Sequence, residues 1–221
     1  MYRATVIGAG RIGADFDECH AGAYSELGIL DGLVDVDVSK AIMAYKRWNG
    51  NWAANEVLQD ADIYSICTPP ETHLTILKQL GNAKGIYCEK PIATTLEDAD
   101  EMIRFCEERG IVLQVNHQRR WGVPTLYYSR GILNTMTHGF DLLRMLFGDN
   151  EYKDGYFGKV RIQEVMTDDP VFEFKIDTKN AILKGVEHLI DCIEHGKQSI
   201  SSGYEAREDL RLCLEMMNDR S

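Results

Sequence analysis

The stretch Thr5-Val-Ile-Gly8-Ala-Gly10-Arg-Ile-Gly13 places the pattern G-x-G-x-x-G directly after an apolar strand and at the expected start of a helix. Gly8 permits a tight turn, Gly10 lets the backbone approach a pyrophosphate, and Gly13 lets the helix pack closely on the strand. The free N–H groups and the dipole at the helix N-terminus favour an anion there. The stretch predicts the phosphate-binding turn of a dinucleotide site.

A second feature supports this interpretation, because the glycine pattern alone is weakly specific. A strand that includes Leu33 and Val34 ends in Asp35, 22 residues after Gly13. A carboxylate there can accept both ribose hydroxyls of the adenosine half, and it would repel a 2′-phosphate. Asp37 adds a second negative charge. The pair favours NAD over NADP, although Asp35 taken alone could be a turn residue.

Strands and helices alternate through residues 1–117 with short links, which predicts an α/β fold with a doubly wound parallel sheet. The predicted strands cover residues 2–7, 32–35, 62–67, 86–88 and 111–115. The predicted helices begin after the glycine turn, at Ser39, near Asn55 (a small helix to Gln59), at Pro70 and at the capping box Thr95-Leu-Glu-Asp98.

The pattern changes near residues 118–122. Residues 159–163 and 171–176 alternate like half-buried antiparallel strands, a further strand is expected at 123–128, and helices at 137–147, 180–195 and 204–218. We therefore predict a dinucleotide-binding domain over 1–120. A smaller C-terminal α/β domain over 121–221 is expected to have a mainly antiparallel sheet, with the last helices packed back on the body.

The composition is that of an ordinary globular protein, with 44% hydrophobic residues, a net charge of −11 and a pI of about 5.0. The negative charge without a basic run argues against nucleic acid or an anionic membrane as a partner. No apolar run approaches the roughly 18 residues of a membrane helix. The chain opens with a strand rather than a signal peptide, so we expect a cytoplasmic location.

The six cysteines are scattered without a C-x-x-C pair. Several lie in apolar runs, so buried free thiols are expected rather than disulfides. The spacing of tetrahedral ligands is missing, and no metal site is predicted.

The stretch Gly85-Ile-Tyr-Cys-Glu-Lys-Pro-Ile92 reads as a buried strand that ends at a charged pair and a proline. The carboxyl ends of parallel strands line the ligand crevice, so Glu89 and Lys90 are expected at the site of chemistry. A lysine there can donate or accept a proton. The alternative is that Lys90 simply pairs with Glu89 on a loop.

Together, these pieces resemble the Gfo/Idh/MocA oxidoreductases, whose namesakes are glucose–fructose oxidoreductase and inositol dehydrogenase. The matching motifs occur in family order and are Gly8–Gly13, Leu33–Asp37, Ser65–His73, Cys88–Pro91, Val115–Arg120, Gly131–Asp141 and Ser201–Gly203. The resemblance covers nearly the whole chain. It implies a Rossmann domain followed by an α/β domain whose sheet lines the substrate site and often forms the oligomer contact, here in a homodimer or homotetramer.

The resemblance also implies the catalytic residues. Lys90 is expected to contact the nicotinamide and the reacting hydroxyl, and a cis peptide before Pro91 would orient it. His138 is the expected proton acceptor, unless it merely caps or packs its helix. Asn134 stands where many relatives carry aspartate, so it can position a sugar hydroxyl but cannot relay a proton.

The implied function is hydride transfer between NAD (NADP is less favoured) and a ring hydroxyl of a sugar, sugar nucleotide or cyclitol. Two alternatives stay open, a non-catalytic NAD-binding sensor and a redox-neutral NAD-dependent enzyme. His73 is as consistent with packing as with binding. The expected cofactor-binding residues are Gly8, Gly10, Arg11, Ile12, Gly13, Asp35, Thr68, Pro69, His73, Glu89, Lys90 and Gln118.

The chain departs from the family in length. Only nine residues separate Trp121 from Gly131, and fewer strands can be counted before residue 180 than in relatives. Either the protein is a compact member or the sequence omits segments of a longer chain. A compact member would expose a sheet edge, which dimerisation could cover.

Overall fold

The computed structural model describes residues 1–57, 61–121, 140, 141, 144, 152, 153, 156, 157, 160, 161 and 180–218. The elements expected at 123–128 and 171–176 lie outside these residues. So does most of the helix expected at 137–147, of which residues 140, 141 and 144 are described and helical.

A six-stranded, all-parallel sheet forms the centre of the described fold. Its spatial order is β3-β2-β1-β4-β5-β6, so the order reverses between β1 and β4. This reversal is the switch point at which doubly wound sheets bind ligands. The strands are β1 (Ala4–Ile7), β2 (Leu30–Val34), β3 (Trp52–Ala54), β4 (Ile63–Ile66), β5 (Gly85–Cys88) and β6 (Val112–Val115).

Helices cover both faces of this sheet. They are α1 (His20–Glu26), α2 (Val38–Trp48), α3 (His73–Leu77), α4 (Leu96–Glu107), α5 (Ala181–His195) and α6 (Gly203–Asn218). Asp37 caps α2 by accepting a hydrogen bond from the Ser39 backbone, and Thr95 caps α4 by accepting one from Asp98. The cap at Thr95 confirms the prediction, whereas α2 begins at Val38 with Asp37 as its cap rather than at the predicted cap Ser39.

The two apolar cores lie on opposite faces of the sheet. On one face, Ala206 and Leu210 of α6 pack with buried residues of α3 and α4. On the other, Val186 and Leu189 of α5 pack with α1. The last two helices therefore complete the burial of the parallel sheet.

The first helix and the third strand differ from the sequence prediction. The glycine turn leads into a single wide helical turn, Arg11–Asp15, and α1 begins only at His20. The expected small helix over 55–59 is wrong over its described residues, because 55–57 form a bend after β3. β3 was not predicted from its three residues; Trp52 lies over Gly32, where any side chain would overlap its ring.

Three two-residue strands, Tyr152–Lys153, Tyr156–Phe157 and Val160–Arg161, form an antiparallel sheet. The larger antiparallel domain expected over 121–221 stays a prediction, as does the domain boundary. Among the helices of the described part of the chain, none is long and apolar enough to cross a membrane.

Candidate dinucleotide site

The glycine turn has the geometry that its sequence predicts. Gly8 has a φ of +96°, and a Cβ there would lie 2.6 Å from the carbonyl oxygen of Cys67. A Cβ at Gly13 would overlap the carbonyl oxygen of Gly8, whereas nothing lies within 4 Å of a Cβ built on Gly10. Gly8 and Gly13 thus close the turn, and the backbone at Gly10 borders open space that a phosphate could fill.

Asp35 follows the end of β2 and lies against this turn. Its carboxylate accepts hydrogen bonds from the backbone N–H of Ala9 and of Asp37, both at 2.9 Å. Hydrogen bonds from the hydroxyl and the backbone of Ser39 lower the pKa of Asp37. The Asp35 carboxylate therefore lies beside the turn where the adenosine half of a dinucleotide would lie, so the residues fit this cofactor.

A cavity of about 320 Å³ lies beyond the turn, at the carboxyl ends of β4, β5 and β6. Its lining combines apolar, amide, hydroxyl and charged side chains, which suits a nicotinamide and a polar substrate. The residues that line it are Ile12, Cys67, Thr68, Glu89, Lys90, Asn116 and Gln118. Five of these were predicted to bind the cofactor; Cys67 and Asn116 were not.

Glu89 is the buried acid of this cavity. One carboxylate oxygen, Oε1, accepts hydrogen bonds from His20 Nε2 at 3.0 Å and from Asn116 Nδ2 at 2.6 Å. The other, Oε2, accepts one from the Lys90 backbone at 3.3 Å. Burial raises the pKa of Glu89, but the bonds from His20 and Asn116 outweigh it and hold the pKa below its usual range.

A chain of buried polar groups supports these donors. His20 Nδ1 lies 2.7 Å from Ser65 Oγ, which lies 2.7 Å from the Tyr24 hydroxyl. The Tyr87 hydroxyl donates to Asn116 Oδ1 at 2.7 Å, which leaves the Asn116 amide N–H groups facing Glu89. His20 was not predicted from the sequence, because a single histidine at a helix start gives no signal of its partner.

Lys90 and Pro91 are joined by a cis peptide, as the resemblance implies. Lys90 is half-buried and lines the cavity beside Thr68. Pro69 follows Thr68 and precedes the 3-10 turn Pro70–Thr72.

His73 is fully buried behind this loop. Its two ring nitrogens lie 3.0 Å from the Ile92 carbonyl oxygen and 2.9 Å from that of Thr68. The ring therefore joins the loops after β4 and β5, and its expected contact with the cofactor stays a prediction. Arg11 is exposed, with its guanidinium 4.2 Å from the centre of the Phe16 ring.

A second buried cluster lies behind β6. His117 Nδ1 is 3.3 Å from Asp141 Oδ1, and His117 Nε2 is 3.6 Å from Asp209 Oδ2. Arg120 bonds to Asp141, and Arg144 bonds to Asp209 at 3.1 Å. The ligand atoms of the histidine and the two aspartates lie within 4.8 Å of one another. Two guanidinium groups already provide the positive charge that a metal ion would bring.

Burial dominates the electrostatics of this second cluster. It raises the pKa of Asp141 to about 6 in spite of Arg120, and it lowers the pKa of His117 to about 3. Burial and the neighbouring Asp141 charge raise the pKa of Asp209 well above its usual range. Among the described residues, no hydrogen-bond partner reaches Oδ2 of either aspartate.

The structure brings most of the predicted cofactor residues to one edge of the sheet. The described residues do not include the whole predicted catalytic set. Lys90 is described, whereas His138 and Asn134 lie outside the described residues. Their roles stay predictions.

The fold and the turn define a Rossmann-type dinucleotide-binding protein. A family model for Gfo/Idh/MocA proteins, described as "Oxidoreductase family, NAD-binding Rossmann fold", matches residues 2–117. The chain therefore belongs to this family of NAD-binding oxidoreductases, which confirms the resemblance read from its motifs.

Two curated relatives are dehydrogenases of a sugar nucleotide and a cyclitol. A UDP-N-acetylglucosamine 3-dehydrogenase of Acidithiobacillus ferrooxidans is 32% identical over 132 residues, which are 58% of this chain and 40% of the relative. An inositol 2-dehydrogenase of Rhizobium meliloti is 27% identical over 188 residues, 66% of this chain and 55% of the relative. The matched regions thus span about half the length of these relatives.

A solved structure of UDP-N-acetylglucosamine 3-dehydrogenase from Acidithiobacillus ferrooxidans has the same fold, with a TM-score of 0.76 at 19% identity. The alignment covers 97% of this chain and 96% of that one.

Proposed function

We propose that this protein is an NAD-dependent dehydrogenase that oxidises a ring hydroxyl of a sugar, sugar nucleotide or cyclitol. The observation that carries the proposal is the cavity beside the glycine turn, which Lys90 lines together with Thr68 and Asn116. The names of the two curated relatives supply the substrate class.

The residues of the turn would hold the cofactor along the sheet edge. The backbone around Gly10 borders the space for the pyrophosphate, and Asp35 would accept the ribose hydroxyls of the adenosine half. The chemistry that bound NAD would supply is a hydride acceptor at its nicotinamide ring. The chain must then orient the substrate carbon, exclude water and take up the hydroxyl proton.

Lys90 would donate a hydrogen bond to the reacting hydroxyl and stabilise the negative charge that develops on its oxygen. We propose His138 as the base that accepts the proton, since a histidine titrates near neutral pH. Asn134 would orient a neighbouring hydroxyl through its amide. A subunit contact through the C-terminal region is part of the same proposal.

The test is a screen for NADH formation, followed by its absorbance, with inositol, common hexoses and nucleotide sugars as substrates. We expect turnover with one of these classes and a loss of about 10²–10³-fold in kcat for Lys90→Ala, because one positioned donor to a developing oxyanion contributes about that much. Lys78→Ala is the matched control; Lys78 is an exposed lysine that pairs with Glu101.

Cofactor binding without turnover on any substrate would contradict the dehydrogenase proposal and favour a sensor. Release of a modified sugar without net NADH would instead favour the redox-neutral alternative.

A further inference from the structure

The hydrogen bond between His20 and Glu89 lies directly behind the cavity. It affects the charge of Glu89 as well as the packing of the protein interior. Glu89 is 8% exposed and His20 is fully buried, yet Glu89 lines the cavity together with Lys90. A buried carboxylate at a ligand site needs donors that keep it ionised. His20 and Asn116 are those donors.

His20 donates to Glu89 in either of its common protonation states. With a neutral ring, Ser65 donates to Nδ1 and accepts from the Tyr24 hydroxyl, which leaves the hydrogen on Nε2 for Glu89. With a charged ring, both nitrogens carry a hydrogen. Because the ionised Glu89 only accepts, Nε2 donates to it in both states, and the Ser65 hydroxyl can donate or accept to match Nδ1.

We infer that His20 is a positioning residue that holds Glu89 as an anion beside the nicotinamide end of the cofactor, and that this charge favours NAD+ over NADH. The inference rests on the proposed function, because it requires nicotinamide in this cavity. The oxidised ring carries a positive charge and the reduced ring is neutral, so a fixed carboxylate stabilises the oxidised form selectively.

Few other groups change charge near Glu89 around neutral pH. Among the described residues, the titratable groups that face it are His20 on α1, Cys67 after β4, Tyr87, Cys88 and Lys90 on or after β5, and His117 after β6. Burial raises the pKa of the two thiols and of Tyr87 and lowers that of His117 to about 3. These four groups are therefore neutral between pH 6 and 8.

The experiment measures dissociation constants of NAD+ and NADH by calorimetry on the full chain at pH 6 and pH 8. We expect Glu89→Gln to reduce the preference for NAD+ over NADH by about tenfold, since it removes one charge whose effect Lys90 partly offsets. Glu187→Gln makes the same chemical change on the exposed face of α5 and should leave the preference unchanged.

Two substitutions of His20 separate positioning from folding. His20→Leu removes the donor, so burial raises the pKa of Glu89; as pH falls through that raised pKa, Glu89 is protonated and the preference for NAD+ is lost. The preference of this variant should be several-fold lower at pH 6 than at pH 8. His20→Gln keeps an amide donor and should bring the preference at pH 6 back toward its value at pH 8. Glu89→Gln alone carries the test if His20→Leu does not fold.

The outcomes distinguish the inference from the proposed function. If the wild type binds neither cofactor, the proposed function fails and the inference fails with it. If the wild type binds both and the preference in Glu89→Gln is within twofold of the wild type, the inference is overturned while the proposed function stands. A preference in His20→Leu that does not change with pH would also overturn it.

Discussion

Glu89 and the Asp141–Asp209 pair are both buried carboxylates near the carboxyl edge of the sheet, but their surroundings differ. Glu89 stands alone and receives hydrogen bonds from a histidine and an amide, with a cavity on its open side. Asp141 and Asp209 face each other around His117, and each has one oxygen without a hydrogen-bond partner among the described residues.

The difference follows from what faces each carboxylate, because His20 and Asn116 donate to Glu89 whereas Asp209 faces the charge of Asp141. The pKa of Glu89 lies below its usual range although burial opposes this. The pKa of Asp141 is raised to about 6 although Arg120 lies beside it. A single buried carboxylate with its hydrogen-bond donors, such as Glu89, suits a binding site. A pair of buried carboxylates, such as Asp141 and Asp209, suits a structural contact between elements that are distant in sequence.

The largest effect is expected when the second cluster loses an arginine. Arg144 is 8% exposed and bonds to Asp209 and to the Glu205 backbone. Arg144→Met should lower the free energy of unfolding by about 3–5 kcal/mol, because it breaks the buried cluster and leaves Asp209 Oδ1 without its donor. Urea denaturation followed by circular dichroism measures this.

Arg207→Met is the matched control for that variant. Arg207 pairs with Asp100 at the surface, and such exposed pairs contribute at most about 1 kcal/mol. Equal losses in the two variants would mean that the cluster is no more important than a surface ion pair.

A smaller effect on the free energy of unfolding is expected from a change in pH. Asp209 has a raised pKa in the folded state, so the folded chain holds a proton that the unfolded chain has released. Above about pH 6.5, stability should therefore fall as pH rises through the raised pKa of Asp209, by up to about 1.4 kcal/mol per pH unit. His117 opposes this slope only near its unfolded pKa of about 6.5, and Asp141, whose folded pKa is about 6, adds to the slope at the lower end of the window.

Two variants locate the origin of that slope, measured as the free energy of urea unfolding at each pH. Asp209→Asn should flatten it. Glu89→Gln should leave it in place, because Glu89 has a lowered pKa and stays ionised throughout the window. A slope that survives in Asp209→Asn would place its origin outside this cluster.

Local signals allowed much of the fold to be predicted from the sequence. The glycine turn, the cap at Thr95 and the apolar runs of β1, β4 and β5 each carry their own pattern. β3 does not, because its residues Trp52–Ala54 include no β-branched side chain. It is a strand because β2 offers a partner, which only the folded chain can supply.

The residues of the candidate site also differ in whether the sequence could predict them. Gly8, Asp35 and Lys90 belong to motifs whose spacing implies a role. His20 and Asn116 act through contacts to Glu89 that cross 69 and 27 residues of sequence, and no spacing rule reaches across such distances. The two residues that keep Glu89 ionised could therefore be identified only from the folded structure.

We expect the sheet edge between the glycine turn and Asp35 to bind NAD, and titration calorimetry of the wild type with NAD+ and NADP+ tests this most directly. We predict binding of NAD+ at least about tenfold tighter than NADP+, because Asp35 and Asp37 repel a 2′-phosphate. Asp35→Ala should weaken NAD+ binding by about 10–100-fold and reduce the difference in affinity between NAD+ and NADP+. An absence of heat with both cofactors, or equal affinity for the two in the wild type, would contradict the account.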